Sequence, residues 1–204
     1  SLQDVTPVGR DFLRITLDIE DAAAFDQDAI HFRLILPPAG EAAPEWPRIA
    51  ANGATVWPKG AKALHRPVYT VRALDLARGR LTFDLFVHAG GRATQWAQTA
   101  APGARIGLTG PGGGGLCTRD RVTLYADETG FPAVARILEA LPKTATGHAV
   151  LSARGGAACG YDMPTHPGVA LRWTDAATAT ELADRAIADR ATHGDHALWF
   201  AAEK

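Results

Sequence analysis

VTLYADETGFPAVARILEALP, residues 122–142, is the stretch whose reading decides the fold. Val122 to Ala126 is a short, mostly apolar run. Asp127-Glu128-Thr129-Gly130 interrupts it, and Val134, Ile137, Leu138 and Leu141 then recur at the spacing of one helix face. A strand without clean alternation is buried on both faces, and a helix directly after it is the crossover of a parallel sheet. The pattern continues downstream. Ala149 to Ala153, Val169 to Trp173 and Ala197 to Ala201 are further apolar strands, and Thr178 with Glu181 has the spacing of a capping box, predicting a helix to about Arg190. The C-terminal half therefore reads as an α/β domain with a parallel sheet.

Upstream the period falls to two. Leu13, Ile15, Leu17 and Ile19 alternate with Arg14, Thr16 and Asp18, and His31 to Leu36 repeats the pattern up to Pro37-Pro38. Leu81, Phe83, Leu85 and Val87 alternate with Thr82, Asp84, Phe86 and His88, which are expected to point away from the core. Arg66 to Leu74 and Ala104 to Thr109 are further strands, the latter ended by Gly110-Pro111, and Arg92 to Thr99 is one short helix. Residues 37–65 carry prolines, glycines, Trp46 and Trp57 with little periodicity, and are expected to form a long loop of the kind that carries function. Short antiparallel strands with one helix predict a small antiparallel β-barrel. The glycine run Gly112 to Gly115 is the expected connection, giving domains of residues 1–112 and 113–204.

Composition narrows the function. A formal net charge of −1 offers nothing to nucleic acid as a partner. No apolar run reaches the roughly 20 residues of a membrane span, so no membrane association is expected. Cys117 and Cys159 make neither a disulfide framework nor a zinc pattern, and a reducing cytoplasm is the expected location. His193-Gly194-Asp195-His196 holds candidate metal ligands, but Gly194 marks a turn before a strand, and no metal site is expected there.

Three stretches carry candidate chemistry. In RPVYTVRALD, residues 66–75, one strand mixes two arginines, a tyrosine and a threonine. Tyr69 can stack on a flat ring, Thr70 offers a hydroxyl, and Arg72 can pair with an anion; a plain barrel wall with a solvated Arg72 would carry the same letters. In His88-Ala89-Gly90-Gly91-Arg92-Ala93-Thr94-Gln95-Trp96, glycines before a helix let the backbone amides of Ala93 and Thr94 approach an anion. Asp127-Glu128-Thr129 stands at the carboxyl end of a parallel strand, where α/β sheets bind ligands. Asp127 or Thr129 equally suits a helix cap, with Pro132 in the first turn.

Taken in order, Tyr69-Thr70-Val71-Arg72, FDLFVHAGGRATQWA (83–97), PGARIGLTGPGG (102–113) and ADETGFPAVARILEALP (126–142) resemble the siderophore-interacting protein family, FAD-dependent ferric-siderophore reductases of the ferredoxin-reductase type. The resemblance runs from about Val8 to Glu203. It implies an FAD-binding β-barrel followed by an NAD(P)H-binding α/β domain. Tyr69, Thr70 and Arg72 would position the flavin ring and its charge, with Arg66 nearby. Within the cofactor-binding stretch His88 to Trp96, Gly91, Ala93 and Thr94 would hold the diphosphate behind Gly90, Arg92 would add positive charge near it, His88 would contact the cofactor and Trp96 would pack on the barrel; Asp127, Glu128 and Thr129 would lie at the nicotinamide-dinucleotide site. NADPH or NADH is the implied electron donor, with a ferredoxin as a further candidate, and a ferric siderophore is the implied substrate. No side chain is needed as acid or base, so no catalytic residue is assigned.

The chain departs from the family pattern at three places. Pro67 stands where the family's R-x-Y-T has its arginine, with Arg66 one residue early; Arg92 stands at the proline of the family's G-P-A; and the family's last helices do not follow Glu203, where the chain stops at Lys204. Turnover with a nicotinamide donor is the activity these departures bear on most. Arg48, Lys59 and Lys62 are candidates for a basic rim. A non-catalytic module binding a ferric chelate or a partner protein, with FAD or nicotinamide binding lost, stays open beside the enzyme.

Overall fold

The computed structural model describes residues 1–25, 30–41 and 43–203; Lys204 lies outside the described residues. The N-terminal half runs β1 (Leu2–Val8), β2 (Phe12–Asp18), β3 (His31–Ile35), β4 (Arg48–Ile49), β5 (Thr55–Val56), β6 (Val68–Thr70), β7 (Ala73–Asp75), β8 (Arg80–Phe86), α1 (Arg92–Thr99) and β9 (Gly107–Gly112). Two antiparallel sheets, ordered β1-β2-β8-β7 and β6-β3-β9, enclose a core of Ile15, Leu17, Phe32, Leu34, Leu81 and Phe83, to which α1 adds Ala93 and Ala97.

The strand expected over residues 66–74 is two strands sharing a corner. β6 pairs with β3 and β7 with β8, and at the corner the Val71 amide donates to Ile30 (2.9 Å) while the Arg72 amide donates to Thr82 (2.8 Å). Thr70 and Val71 are consecutive and both buried. A straight strand would put one of them on each face, so the chain bends and hands itself from one sheet to the other. The barrel closes elsewhere through the Leu2 amide on the Ala104 carbonyl and the Gly103 amide on that of Leu2.

Three local expectations are corrected. β1 was not anticipated; its Pro7 fits because β1 is an edge strand. The 37–65 stretch contains the β4–β5 hairpin, turned at Asn52-Gly53, where Gly53 has φ +80° and the Asn52 side chain accepts from the Ala54 amide. β9 starts later than Ala104 and runs through Gly110-Pro111 to Gly112, because β3 pairs with it up to His31↔Gly112 across an irregularity between His31 and Arg33.

The C-terminal half comprises β10 (Arg121–Ala126), α2 (Phe131–Ala140), β11 (Thr146–Ala153), β12 (Val169–Asp175), α3 (Ala179–Thr192) and β13 (Ala197–Ala201). Its sheet is parallel throughout, in the order β12-β11-β10-β13. Leu124 and Leu151 pack on the α2 side, Tyr125 and Val150 with Leu182 and Ala186 on the α3 side, so both faces are covered. Thr178 caps α3 in the expected box with Glu181.

The second face of β2 and β8 is buried as well. Asp84 and Phe86, expected to point away, face the C-terminal half, and the Asp84 side chain has no exposed surface. Val8, Phe12 and Ile30 belong to the same core as Phe131 and Tyr161, with the Phe12 ring 4.6 Å from that of Tyr161 and 6.0 Å from that of Phe131. At the β1–β2 turn the Arg10 amide donates to the Cys159 carbonyl (2.9 Å). Gly9 there has φ +59°, and a Cβ on it would stand 2.6 Å from the backbone of Cys159 and Gly160. The alternation that placed Asp84 on an outer face was read correctly, but that face meets protein instead of water.

Candidate functional site

The corner strand positions the first group. Tyr69 is backed by Phe83 and Phe32, ring centroids 5.0 and 6.3 Å away. Burial, with the Glu203 carboxylate nearby, holds its phenol proton well above the ordinary range. Thr70 beside it is buried. Just before β6, His65 pairs with Leu36, and burial together with the Arg92 guanidinium lowers its imidazole pKa. At the far end, the Val71 carbonyl accepts from Arg136 of α2 at 3.0 Å. Residues 65–71 thus run, over about 20 Å of extended chain, from the start of α1 to the C-terminal half.

The second group is the turn into α1. The His88 ring lies against Gly91, where a Cβ would stand 2.6 Å from Cε1; nothing lies within 4 Å of a Cβ on Gly90, whose φ is +78°. Gly91 is the N-cap and offers no side chain to the first turn, and the Thr94 hydroxyl is 3.4 Å from the His88 amide, from which it accepts. Unpartnered amides behind a bare glycine approach suit an anion. Ala93 and Thr94 are buried, while Arg92 is exposed and donates to the Pro37 carbonyl (3.0 Å). Trp96 packs partly on the barrel core and, with Pro37, Pro38 and Gln95, lines a groove beside the helix. Arg66 is exposed and stacks over Trp57 at 4.2 Å.

The third group lies at the carboxyl ends of β10 and β13. The chain goes from β10 outward to β11 and β12, then returns to the other side of β10 as β13, so the strand order reverses between β10 and β13, where such sheets take ligands. Asp127 organises this point. One of its oxygens accepts from the Thr129 amide (2.9 Å) and hydroxyl (2.6 Å), and the other accepts from the Glu203 amide (2.7 Å). Asp127 is therefore the cap of the short turn Glu128–Gly130. Glu128 accepts from the Arg154 amide at 3.0 Å, tying this turn to the end of β11.

Arg72 has partners other than those expected of it. Its guanidinium donates to both oxygens of Glu139 on α2, at 2.7 and 2.8 Å. Its Nε is buried without a hydrogen bond, 3.9 Å from Asp84. Asp84 in turn accepts two bonds from Arg14 (2.8 and 2.9 Å) and one from Tyr161 (2.7 Å). Burial first, and the Asp84 charge second, push the Tyr161 phenol far above its ordinary pKa, while the bond to Asp84 holds the Arg14 proton more tightly still. Arg72, Asp84, Glu139 and Tyr161 fasten the two halves together beside the corner strand. Sequence reading missed Asp84, Arg136, Glu139, Tyr161 and Glu203, whose roles arise only when the halves meet; the sole hint was a carboxylate flanked by the apolar Phe83, Leu85 and Phe86.

The chain thus carries an aromatic-backed strand, a glycine-lined helix start and a strand-order switch point, the strand being tied to the C-terminal half through Val71 and Arg136. They fit FAD: Tyr69 and Thr70 for a flat ring, and residues 88–94 for a diphosphate. Elsewhere, His193 and His196 bond to Asp189 and Thr123 respectively, and among the described residues no group of three or more His, Cys, Asp or Glu side chains is arranged to hold a metal ion. No helix among them is long and apolar enough to cross a membrane.

Comparison with known proteins gives the family. Residues 1–115 match the siderophore-interacting FAD-binding domain, and residues 119–204 match the siderophore-interacting protein domain. Ferric vibriobactin reductase of Vibrio cholerae is 32% identical over 152 residues, covering 71% of this chain and 54% of that protein. The NADPH-dependent ferric-chelate reductase of Escherichia coli is 35% identical over 149 residues, covering 69% of this chain and 56% of that protein. The matches thus span little more than half the length of these relatives. The crystal structure of a siderophore utilization protein from T. fusca superposes with a TM-score of 0.78 at 28% identity, covering 99% of this chain and 79% of that one. The chain belongs to the siderophore-interacting protein family.

Proposed function

We propose that this member of the siderophore-interacting protein family reduces ferric siderophores with electrons from NADPH or NADH, releasing Fe(II). The observation that supports the reading is that the corner strand carrying Tyr69 is tied to α2, the helix that follows the Asp127 turn, by Arg136 on the Val71 carbonyl (3.0 Å) and by Arg72 on Glu139 (2.7 and 2.8 Å). FAD, when bound, supplies an acceptor for the two electrons of a hydride and a donor of single electrons to Fe(III). The protein's share is placement. The amides of Ala93 and Thr94, with Arg92 and His88, hold the diphosphate. Tyr69 and Thr70 seat the ring. Asp127 shapes the crevice by capping its turn, and Arg72–Glu139 with Arg136 on the Val71 carbonyl keeps the crevice on the strand. No side chain moves a proton in this scheme, so none is assigned as acid or base. Arg48 and Lys59, in the 37–65 stretch, are the candidates for a basic rim toward an anionic chelate; Lys62 is paired with Glu45 at 2.9 Å.

The test is an absorbance spectrum after adding excess FAD and desalting, followed by assays of ferric-chelate reduction with each nicotinamide. A retained flavin spectrum and donor-dependent reduction are expected. A folded, colourless protein overturns the reading. One observation favours a second reading in that event: Pro67 has no side-chain charge and Arg66 is stacked on Trp57. A chain that cannot hold FAD would be a binding module for the ferric chelate.

A further inference from the structure

The last turns of α3 are held to the sheet by one side chain. Leu182 and Ala186 are the buried residues of the helix, and from Ile187 to Thr192 every residue but Asp189 is exposed. One oxygen of Asp189 accepts from His148 Nε2 of β11 (2.6 Å) and from the Tyr125 hydroxyl of β10 (3.2 Å). The other accepts from His193 Nδ1, just past the helix (2.8 Å). Two imidazoles and a phenol therefore converge on one carboxylate, and the His148 side chain is only 6% exposed. The rings continue outward. His193 lies 5.8 Å from His148 and 4.9 Å from His196, centroid to centroid, and His196 Nδ1 is 3.0 Å from the hydroxyl of buried Thr123.

Such a cluster depends on protonation. His148 and His193 each donate with the one hydrogen a neutral imidazole carries; an added proton goes on the other nitrogen and leaves the ring positive. One such charge suits Asp189, but three rings at these separations outnumber a single carboxylate. The other charged groups facing the cluster do not redress the balance. Arg172 of β12 and Arg185 of α3 add positive charge, Arg190 donates to the His196 carbonyl (2.6 Å), and Asp195 is paired with Arg121. Burial, opposed by Asp189 and reinforced by Arg172 and His193, keeps the His148 pKa below its ordinary 6.5. The docked ring takes up a proton less readily than a released one, so docking is full above that value and acid favours release. His196 leads directly into β13, whose other end holds the crevice turn: the Ala201 carbonyl accepts from the Asp127 amide (3.1 Å), and the Glu203 amide donates to the Asp127 side chain (2.7 Å).

We propose that this cluster is an acid-operated catch: when its imidazoles take up protons, the end of α3 and residues 193–196 leave the sheet, and β13 loosens its hold on Asp127. The inference stands whichever ligand the crevice takes.

The test is amide hydrogen exchange of the FAD-supplemented full chain at about pH 7.5 and about pH 5.5, compared as protection factors so that the intrinsic pH dependence of exchange cancels. Residues 187–203 are expected to lose protection at least about tenfold at the lower pH, as one coupled proton over that interval allows, while β8 in the barrel keeps its own. His148→Gln replaces the ring by an amide that can donate to Asp189 but takes up no proton, and should hold residues 187–203 protected at the lower pH. His193→Gln, at a more exposed position, should keep part of that protection. Unchanged protection in wild type, or an equal loss in both glutamine variants, overturns the catch. An equal loss in β8 makes the transition a global one and overturns it as well. A loss confined to residues 187–196 overturns the link to Asp127.

Discussion

At the scale of single residues, two positions concentrate the physics. Gly91 is one. Its missing side chain is what lets the His88 ring lie against the start of α1, and a methyl there would stand 2.6 Å from that ring. Gly91→Ala is expected to displace His88 and weaken FAD binding about tenfold, with little change in fold, as read by a flavin fluorescence titration. Asp84 is the other. Removing it leaves Arg14 without its bidentate partner and Arg72 with one carboxylate fewer. Asp84→Ala should cost about 3 kcal/mol or more in urea denaturation, whereas Tyr161→Phe, which removes a single hydrogen bond, should cost about 1 kcal/mol. Gly91 was legible in the sequence, because two glycines before a helix are a local signal. Asp84 was not: alternation gives a residue's side of the strand, but not what that side will meet.

Elements were legible where their determinants are local. The capping box at Thr178 and Glu181 names its own partners, and both bonds form, at 3.2 and 2.7 Å. Thr178→Ala should therefore lower stability by about 1 kcal/mol, measurable as a shift in urea midpoint with unchanged slope. The βα units announced themselves by the change of period at Ala126-Asp127. The corner at Val71-Arg72 did not. Nothing in VYTVRALD, the part after Pro67, breaks a strand; the bend comes from Thr70 and Val71 both finding burial and from two different sheets supplying hydrogen-bond partners on either side. β9 was misplaced for a related reason, since its glycines have no intrinsic preference for a strand and owe their conformation to β3.

For the whole molecule, proton uptake reports on packing. Burial lowers the pKa of His31, His65 and His148 below the ordinary 6.5, with Arg136 and Arg92 adding to the effect at the first two, and at His148 Asp189 opposes it without reversing it. Each imidazole is harder to protonate in the folded chain than in the unfolded one. As the pH falls through about 6.5 the unfolded chain gains protons first, so stability is full above that value and declines below it. The urea midpoint should drop between about pH 7.5 and about pH 5.5, and His31→Gln should flatten that slope; an unchanged midpoint across the range would contradict the desolvation of the His31 and His148 rings. The fit of the halves also bears on how the chain can change. Gly9 meets Cys159 and Gly160 backbone to backbone, and Phe12 inserts its ring among those of Phe131 and Tyr161. A chimera joining this barrel to a relative's sheet would have to bring a matching glycine and a matching aromatic socket with it, so the two halves are expected to be inherited as a pair and not traded as separate cassettes.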